Sequence, residues 1–414
     1  MSVPSLSRPA PRRSTAVRLL VAAALAMILG TVVPPLIADV RTMVPTGQLG
    51  TFRTEPAEAT ALHLSGLANQ EVPPQNAAEP ACADPAQARL GCYRVSGQMV
   101  FDRATTTATA DAFSEVKVDS HLTVRLEGLR VAEVTDHSIL ARASALPVTE
   151  PVSSTSVTVP ALATDITSVP SYRTGLTHFF PPTSERRSYP YFDLVANDST
   201  PIDFIDEAKV GDVDVFTYSQ SLGAVDLLRA AAGSQNAEGE APTDSGDLQS
   251  ALEQAVTDYS SGMTSLQRVF TGPAERFYSA EERAALGLAA EEVVQPSPYY
   301  TVDRVLTVEP DTGVILDAEE TYYIFLAGSP EEAEAMAQRP PHPERTVFHA
   351  ETRWDEETRQ AQLDLVTPTL RLFRALQIIA WIFTTAAFLL LVAGVVTVAR
   401  IRAARRERLL AVAP

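Results

Sequence analysis

The sequence predicts an α+β protein: a β-rich extracytoplasmic domain, built as an antiparallel sheet with a few short helices, flanked by N- and C-terminal transmembrane helices. Three observations predict it. Long apolar runs lie near both ends of the 414-residue chain, the residues between them are strongly acidic, and several segments there alternate apolar and polar residues. About 20 apolar residues cross a bilayer core as a helix, and period-two alternation marks a half-buried strand.

The C-terminal run, residues 375–399, carries no charged side chain and includes Ile378, Trp381, Phe388 and Leu391. The N-terminal run, residues 19–38, follows Arg8, Arg12, Arg13 and Arg18. A basic segment before an apolar run also describes a cleavable signal peptide, whose apolar region spans about 7–15 residues. This run is longer, and its exit, Pro34-Pro35-Leu36-Ile37-Ala38, lacks small residues at both positions that a signal peptidase reads. An uncleaved anchor is expected, with the cleaved form as the alternative.

Orientation follows from arginine. Arg400, Arg402, Arg405, Arg406 and Arg408 face one acid, Glu407, while Arg371 and Arg374 are the only dissent on the other side of that run. Positive flanks stay cytoplasmic. The expected layout is a cytoplasmic tail (1–18), a span (19–38), an extracytoplasmic domain (39–374), a second span (375–399) and a second cytoplasmic tail (400–414), all at the plasma membrane.

The chain holds 33 basic and 51 acidic residues; setting aside the nine tail arginines and Glu407 leaves 24 and 50 between the spans, a net charge of −26. Such a field repels anionic polymers and excludes nucleic acid as a partner. Cys82 and Cys92 are the only cysteines, and both fall on the outer side. In an oxidising compartment they are expected to form a disulfide closing a short loop, with two buried thiols as the alternative.

Within the outer domain, residues 41–90 are rich in Ala, Pro, Glu and Thr and read as a weakly ordered stalk, followed by a β-rich core over 91–354. The clearest strand is 115–127, where Val116, Val118, Leu122, Val124 and Leu126 share one face. A strand over 93–101 is expected before it. Residues 149–171, nearly uncharged, read as an extended surface connection. Residues 299–309 and 314–325 form the best hairpin, with Pro310-Asp311-Thr312-Gly313 as its turn: Pro presets φ and Gly tolerates positive φ. Residues 212–220 and Thr346–Arg353 are further strand candidates. Ser279 with Glu282, and Ser329 with Glu332, have capping-box spacing. A helix over 247–259 is expected after a polar loop at 233–246. A last helix starts near Asp355 and runs over 355–374 toward the second span, with Pro368 expected to kink or break it.

No HExxH, GxSxG, P-loop or GxGxxG occurs, so the chain is read as non-enzymatic, with no cofactor. His121 falls on a polar strand face, and His178, before Phe179-Phe180-Pro181-Pro182, is expected as a packed structural histidine. The series Asp193, Asp198, Asp203, Asp206, Asp212 and Asp214 raises the question of calcium, but its spread fits a solvated acidic rim better than a compact oxygen cage, and no metal site is expected. Aromatic residues concentrate at Tyr172, Phe179, Phe180, Tyr189, Tyr191, Phe192, Phe204, Phe216 and Tyr218. They form either the core or the lining of an apolar pocket; in the second case Phe179, Phe180, Tyr189, Tyr191 and Phe192 are the candidate ligand contacts.

Three segments carry a resemblance: Arg173-Thr174-Gly175-Leu176-Thr177-His178-Phe179-Phe180-Pro181, then Ser188-Tyr189-Pro190-Tyr191-Phe192-Asp193, then Leu306-Thr307-Val308-Glu309-Pro310-Asp311-Thr312-Gly313-Val314-Ile315. Their order resembles a family of actinobacterial membrane proteins sometimes labelled PorA-family porins, over roughly residues 15–400. The chain departs from the pattern in residues 41–90 and near 233–246. The resemblance implies a cell-wall channel. Two plain apolar helices do not make a closed lipid-facing barrel, however, and the layout is also similar to class B scavenger receptors, an analogy that does not establish function. The leading expectation is an envelope protein whose outer domain binds or passes an apolar ligand such as a lipid; the alternatives are a porin-like channel or channel subunit, and an envelope scaffold.

Overall fold

The computed structural model describes residues 13–47, 49–85, 87–162, 164–167, 172–233 and 267–410. The expected loop at 233–246 (apart from Gly233), the expected helix over 247–259 and residues 1–12 of the N-terminal tail lie outside the described residues. The chain divides into two compact units, Met1–Thr42 with Thr367–Pro414, and Met43–Val366.

The first unit is helical. Helix α1 spans Arg13–Thr31 and α2 spans Val33–Thr42. The break at Val32 precedes Pro34 and Pro35, whose missing N–H groups cannot bond back to the preceding turn. Two helical stretches are long and apolar enough to cross a membrane, Ser14–Ala38 and Glu356–Arg406. The C-terminal helix runs without interruption over Glu356–Leu410 and contains Pro368. Of the kink or break expected there, the break does not occur; one lost hydrogen bond is tolerated inside so long a helix.

Small residues join the two stretches. A Cβ added at Gly30 would lie 2.8 Å from the Thr384 hydroxyl and 3.1 Å from the Ala380 carbonyl, and one at Gly394 would lie 2.8 Å from Leu20. Ala16, Ala23 and Gly30 recur every seventh residue on one helix, and Ala380, Ala387 and Gly394 do so on the other. Ala16, Ala23 and Ala387 are buried, while Val21, Leu25, Ile28, Trp381, Phe388 and Leu389 are exposed. Apolar side chains therefore face outward and the small residues allow close packing, the pattern of a helix pair in lipid.

The second unit is one antiparallel sheet with small helices at its margins. Its strands are β1 (Leu49–Arg53), β2 (Ala57–Leu62), β3 (Arg94–Thr109), β4 (Glu115–Leu126), β5 (Leu129–Ala141), β6 (Ser154–Val159), β7 (Thr164–Thr167), β8 (Tyr189–Asp193), β9 (Asp198–Val210), β10 (Val213–Asp226), β11 (Gly272–Pro273), β12 (Val293–Val294), β13 (Ser297–Glu309), β14 (Val314–Ala327) and β15 (Thr346–Arg353). The spatial order is β7-β6-β5-β4-β3-β2-β15-β14-β13-β10-β9-β8, with β1 pairing on β3; β11 and β12 pair separately. The sheet curls, because one core cluster joins Val116, Val118 and Leu140 from one half to Tyr189, Ile202, Tyr218, Leu306 and Val308 from the other.

The expected strand over 115–127 and the hairpin are present within two residues of their expected ends, and β15 has the expected bounds. Gly313 has φ 72°, and the Glu309 carboxylate accepts from the Asp311 and Thr312 backbone N–H groups at 3.0 and 2.8 Å. Ser279 and Glu282 make a full capping box; Ser329 caps its helix, but Glu332 bonds instead to the Gly328 N–H at 2.7 Å.

Two expectations are corrected. Residues 41–90 are not a weakly ordered stalk: β2 lies between β3 and β15 and joins the halves of the sheet. Its sequence, Ala-Glu-Ala-Thr-Ala-Leu, buries small side chains, which a search for bulky alternation overlooks. Residues 149–171 are not only a connection, since β6 and β7 there extend the sheet beyond β5.

Candidate functional site

The site is built from polar residues at inward-facing strand positions. On β3 the inward series is Met99, Phe101, Arg103, Thr105 and Thr107; on β5 it is Val134, Asp136, Ser138 and Leu140; on β13 it is Tyr300, Val302, Arg304, Leu306 and Val308. Side chains two apart share a sheet face, so the apolar neighbours carry Arg103, Asp136 and Arg304 inward.

Two charged clusters result. In the first, Asp136 accepts from Arg173 at 2.6 and 3.0 Å, from the Thr155 hydroxyl at 3.1 Å and from His178 Nε2 at 2.9 Å. The Arg173 guanidinium also lies 4.4 Å over the Phe192 ring. Burial alone would raise the Asp136 carboxyl, but the His178 hydrogen bond and the Arg173 charge outweigh it and hold the carboxyl well below the usual range. Burial pushes His178 down, only partly opposed by Asp136.

In the second cluster, Arg304 donates to Glu320 at 3.0 Å, Gln220 at 2.7 Å and Asp193 at 2.6 Å. The Tyr300 hydroxyl also donates to Asp193 at 3.1 Å, and the other Asp193 oxygen accepts from the Val195 and Ala196 N–H groups. Burial disfavours the Arg304 charge, yet Asp193 and Glu320 more than restore it.

Between these residues lies a cavity of about 70 Å³, bordered by Arg103, Thr177, His178, Tyr191, Glu320 and Tyr322, among others. That is room for a few water molecules. Thr177 is 6% exposed and its hydroxyl has no hydrogen-bond partner among the described residues, while its carbonyl accepts from the Tyr191 hydroxyl at 2.8 Å. Burial pushes the Tyr191 phenol up to about 12.

The three sequence motifs converge here. The Phe180 N–H donates to the Gly313 carbonyl at 2.9 Å, and a Cβ at Gly313 would lie 2.1 Å from the Phe180 carbonyl oxygen, so only glycine fits. Phe180 packs on Tyr218 at 4.6 Å and on Tyr189 at 5.8 Å between ring centres. Phe180, Tyr189, Tyr191 and Phe192 are buried and Phe179 packs against the same cluster. Phe179, Phe180, Tyr189 and Tyr191 therefore pack in one core cluster, Phe192 lies against Arg173, and of the five expected ligand contacts Tyr191 and Phe192 border the small cavity of mixed polarity.

Asp193, expected on a solvated rim, is instead buried against Arg304. Asp214 pairs with Lys209 at 2.7 Å, and the described residues hold no cluster suited to a metal ion. His121 is half-exposed beside Thr135, and the packed His178 is one arm of the first cluster. Cys82 and Cys92 form a disulfide. Sequence reasoning missed Arg103, Asp136, Arg173, Arg304 and Glu320. The signal was present for Arg103, Asp136, Arg304 and Glu320: each shares strand parity with apolar neighbours.

Fold and site together define a membrane-associated α+β protein with an antiparallel curled sheet and two apolar helical stretches. Residues 15–396 match the family model for Porin PorA, and the chain belongs to that family. It is similar to a Porin PorA from Corynebacterium resistens, 27% identical over 407 residues, covering 94% of this chain and 97% of that one. A Porin PorA from Corynebacterium amycolatum is 27% identical over 238 residues, 56% of this chain and 55% of its own length. The family, one of non-enzymatic porins of the cell envelope, is the one the motifs resembled, and its match includes both apolar helices.

Proposed function

We propose that this chain is a subunit of a cell-envelope channel, anchored by two membrane-spanning helices with both tails cytoplasmic and the sheet unit outside. The observation that carries the reading is the extent of the family match: it runs through both apolar helices and the whole sheet, and a porin-named relative aligns over nearly its full length. The arginine flanks support the orientation.

The sheet unit does not supply a barrel pore. Its path ends at β7 and β8, which do not pair with each other among the described residues, and its interior holds a packed core cluster beside a small cavity. A conducting path on this reading runs between copies of the chain. An apolar ligand has less to hold it, because the aromatic residues that would line its pocket pack on one another.

Planar-bilayer recording of the purified full-length protein tests the proposal. Discrete conductance steps whose frequency rises more steeply than linearly with protein concentration are expected. Silence at every concentration would overturn it.

A further inference from the structure

Three buried arginines of the sheet unit have carboxylate partners: Arg173 with Asp136, Arg304 with Asp193 and Glu320, and Arg345 with Glu282 and Glu332. Arg103 differs. It occupies an inward position of β3, is half-buried and borders the cavity, and its guanidinium makes no ion pair or hydrogen bond with the described residues. A guanidinium carries five donors in a planar fork that matches an oxyanion. Thr177 borders the same cavity, and its buried hydroxyl has no partner among the described residues, an arrangement that favours any group able to pair with it.

We propose that this cavity is a binding site for one small carboxylate, held by the Arg103 guanidinium and the Thr177 hydroxyl. Charge and size set the class. The Arg304 cluster already carries two carboxylates for one guanidinium, so its surplus negative charge disfavours a doubly charged anion such as phosphate. A space of about 70 Å³ admits a carboxylate on a short stem and is too small to enclose a long alkyl chain. The inference is independent of the channel reading, because it concerns binding and not conductance.

The test uses the full-length protein in detergent at pH 7 and constant ionic strength, with chloride exchanged for acetate, inorganic phosphate or octanoate. The thermal unfolding midpoint and calorimetric binding are read for wild type, Arg103→Gln, Arg103→Lys and Thr177→Val. Acetate is expected to raise the wild-type midpoint saturably; phosphate and octanoate are not. Arg103→Gln abolishes the acetate effect, Arg103→Lys keeps a weakened one because charge remains without the fork, and Thr177→Val weakens it about tenfold. Retention by Arg103→Lys separates lost binding from lost folding. No saturable acetate effect, or one of equal size in Arg103→Gln, overturns the proposal. An Arg103-dependent octanoate effect stronger than that of acetate overturns its size limit and assigns the carboxylate to a fatty acid.

Discussion

The two charged clusters inside the sheet use the same materials and close them differently. Around Arg304 every guanidinium nitrogen has a partner, and Asp193 is held from several sides at once. Around Asp136 one carboxylate serves an arginine, a histidine and a threonine at once. Beside it lie Thr177, whose hydroxyl is unpaired, and Arg103, without an acid among the described residues. The difference separates a brace from a site: a saturated network can only hold structure, while an unsaturated one retains capacity for a ligand or a proton.

The sharpest way to break the comparison is Arg304→Ala. It leaves Asp193 and Glu320 buried without their cation, and is expected to destabilise the protein by about 3–5 kcal/mol in denaturant unfolding of the detergent-solubilised chain. Asp136→Asn should cost less, about 2–3 kcal/mol, because the amide oxygen keeps some of the bonds to Arg173, Thr155 and His178. A larger loss for Asp136→Asn than for Arg304→Ala would reverse the assignment of brace and site.

Acid distinguishes the clusters next. Burial holds His178 below its ordinary value of 6.5, so the unfolded chain takes up a proton that the folded one refuses. Stability is therefore full above pH 6.5 and falls as pH drops through that value toward the folded one. The groups that set the shift are Asp136, Arg103 and Arg173. Asp136, depressed by its partners, adds a second loss once pH falls below about 3.8 toward its folded value. His178→Gln should flatten the first part of a melting-temperature profile between pH 7 and 5; a residual slope remains from His342 and His349, which burial also pushes down. An unchanged profile would mean that the Asp136 cluster takes up no proton in that range.

The smallest effect belongs to Thr177→Val. Replacing an unpaired buried hydroxyl by a methyl of similar shape should be neutral or stabilise by up to about 1 kcal/mol without ligand. A clear loss of stability in carboxylate-free buffer would show that the hydroxyl already has a structural partner such as water.

How legible the fold was depends on what faced inward. β4 presents Val116, Val118, Val124 and Leu126 to the core, and its alternation was plain. β5 presents Val134, Asp136, Ser138 and Leu140, so half of its inward positions are polar and the period-two signal disappears. β9 is exposed over most of its length and gives little pattern at all. The motif at 173–181 drew attention as aromatic, and its polar members Arg173, Thr177 and His178 proved to be the ones that build the site.

The sequence by itself determined the features whose causes are local. An apolar run of about 20 residues is helical in lipid whatever surrounds it; Gly313 permits the hairpin turn, and Ser279 with Glu282 caps a helix within four residues. Only the tertiary structure decided the rest. The Arg304–Asp193 pair joins residues 111 apart, and Asp136 meets Arg173 across 37 positions. Those meetings depend on the short β2 linking two half-sheets and on the curl that turns their inner faces together. A polar residue on a strand is solvated or buried according to what lies opposite, and that information resides in the pairing of distant strands.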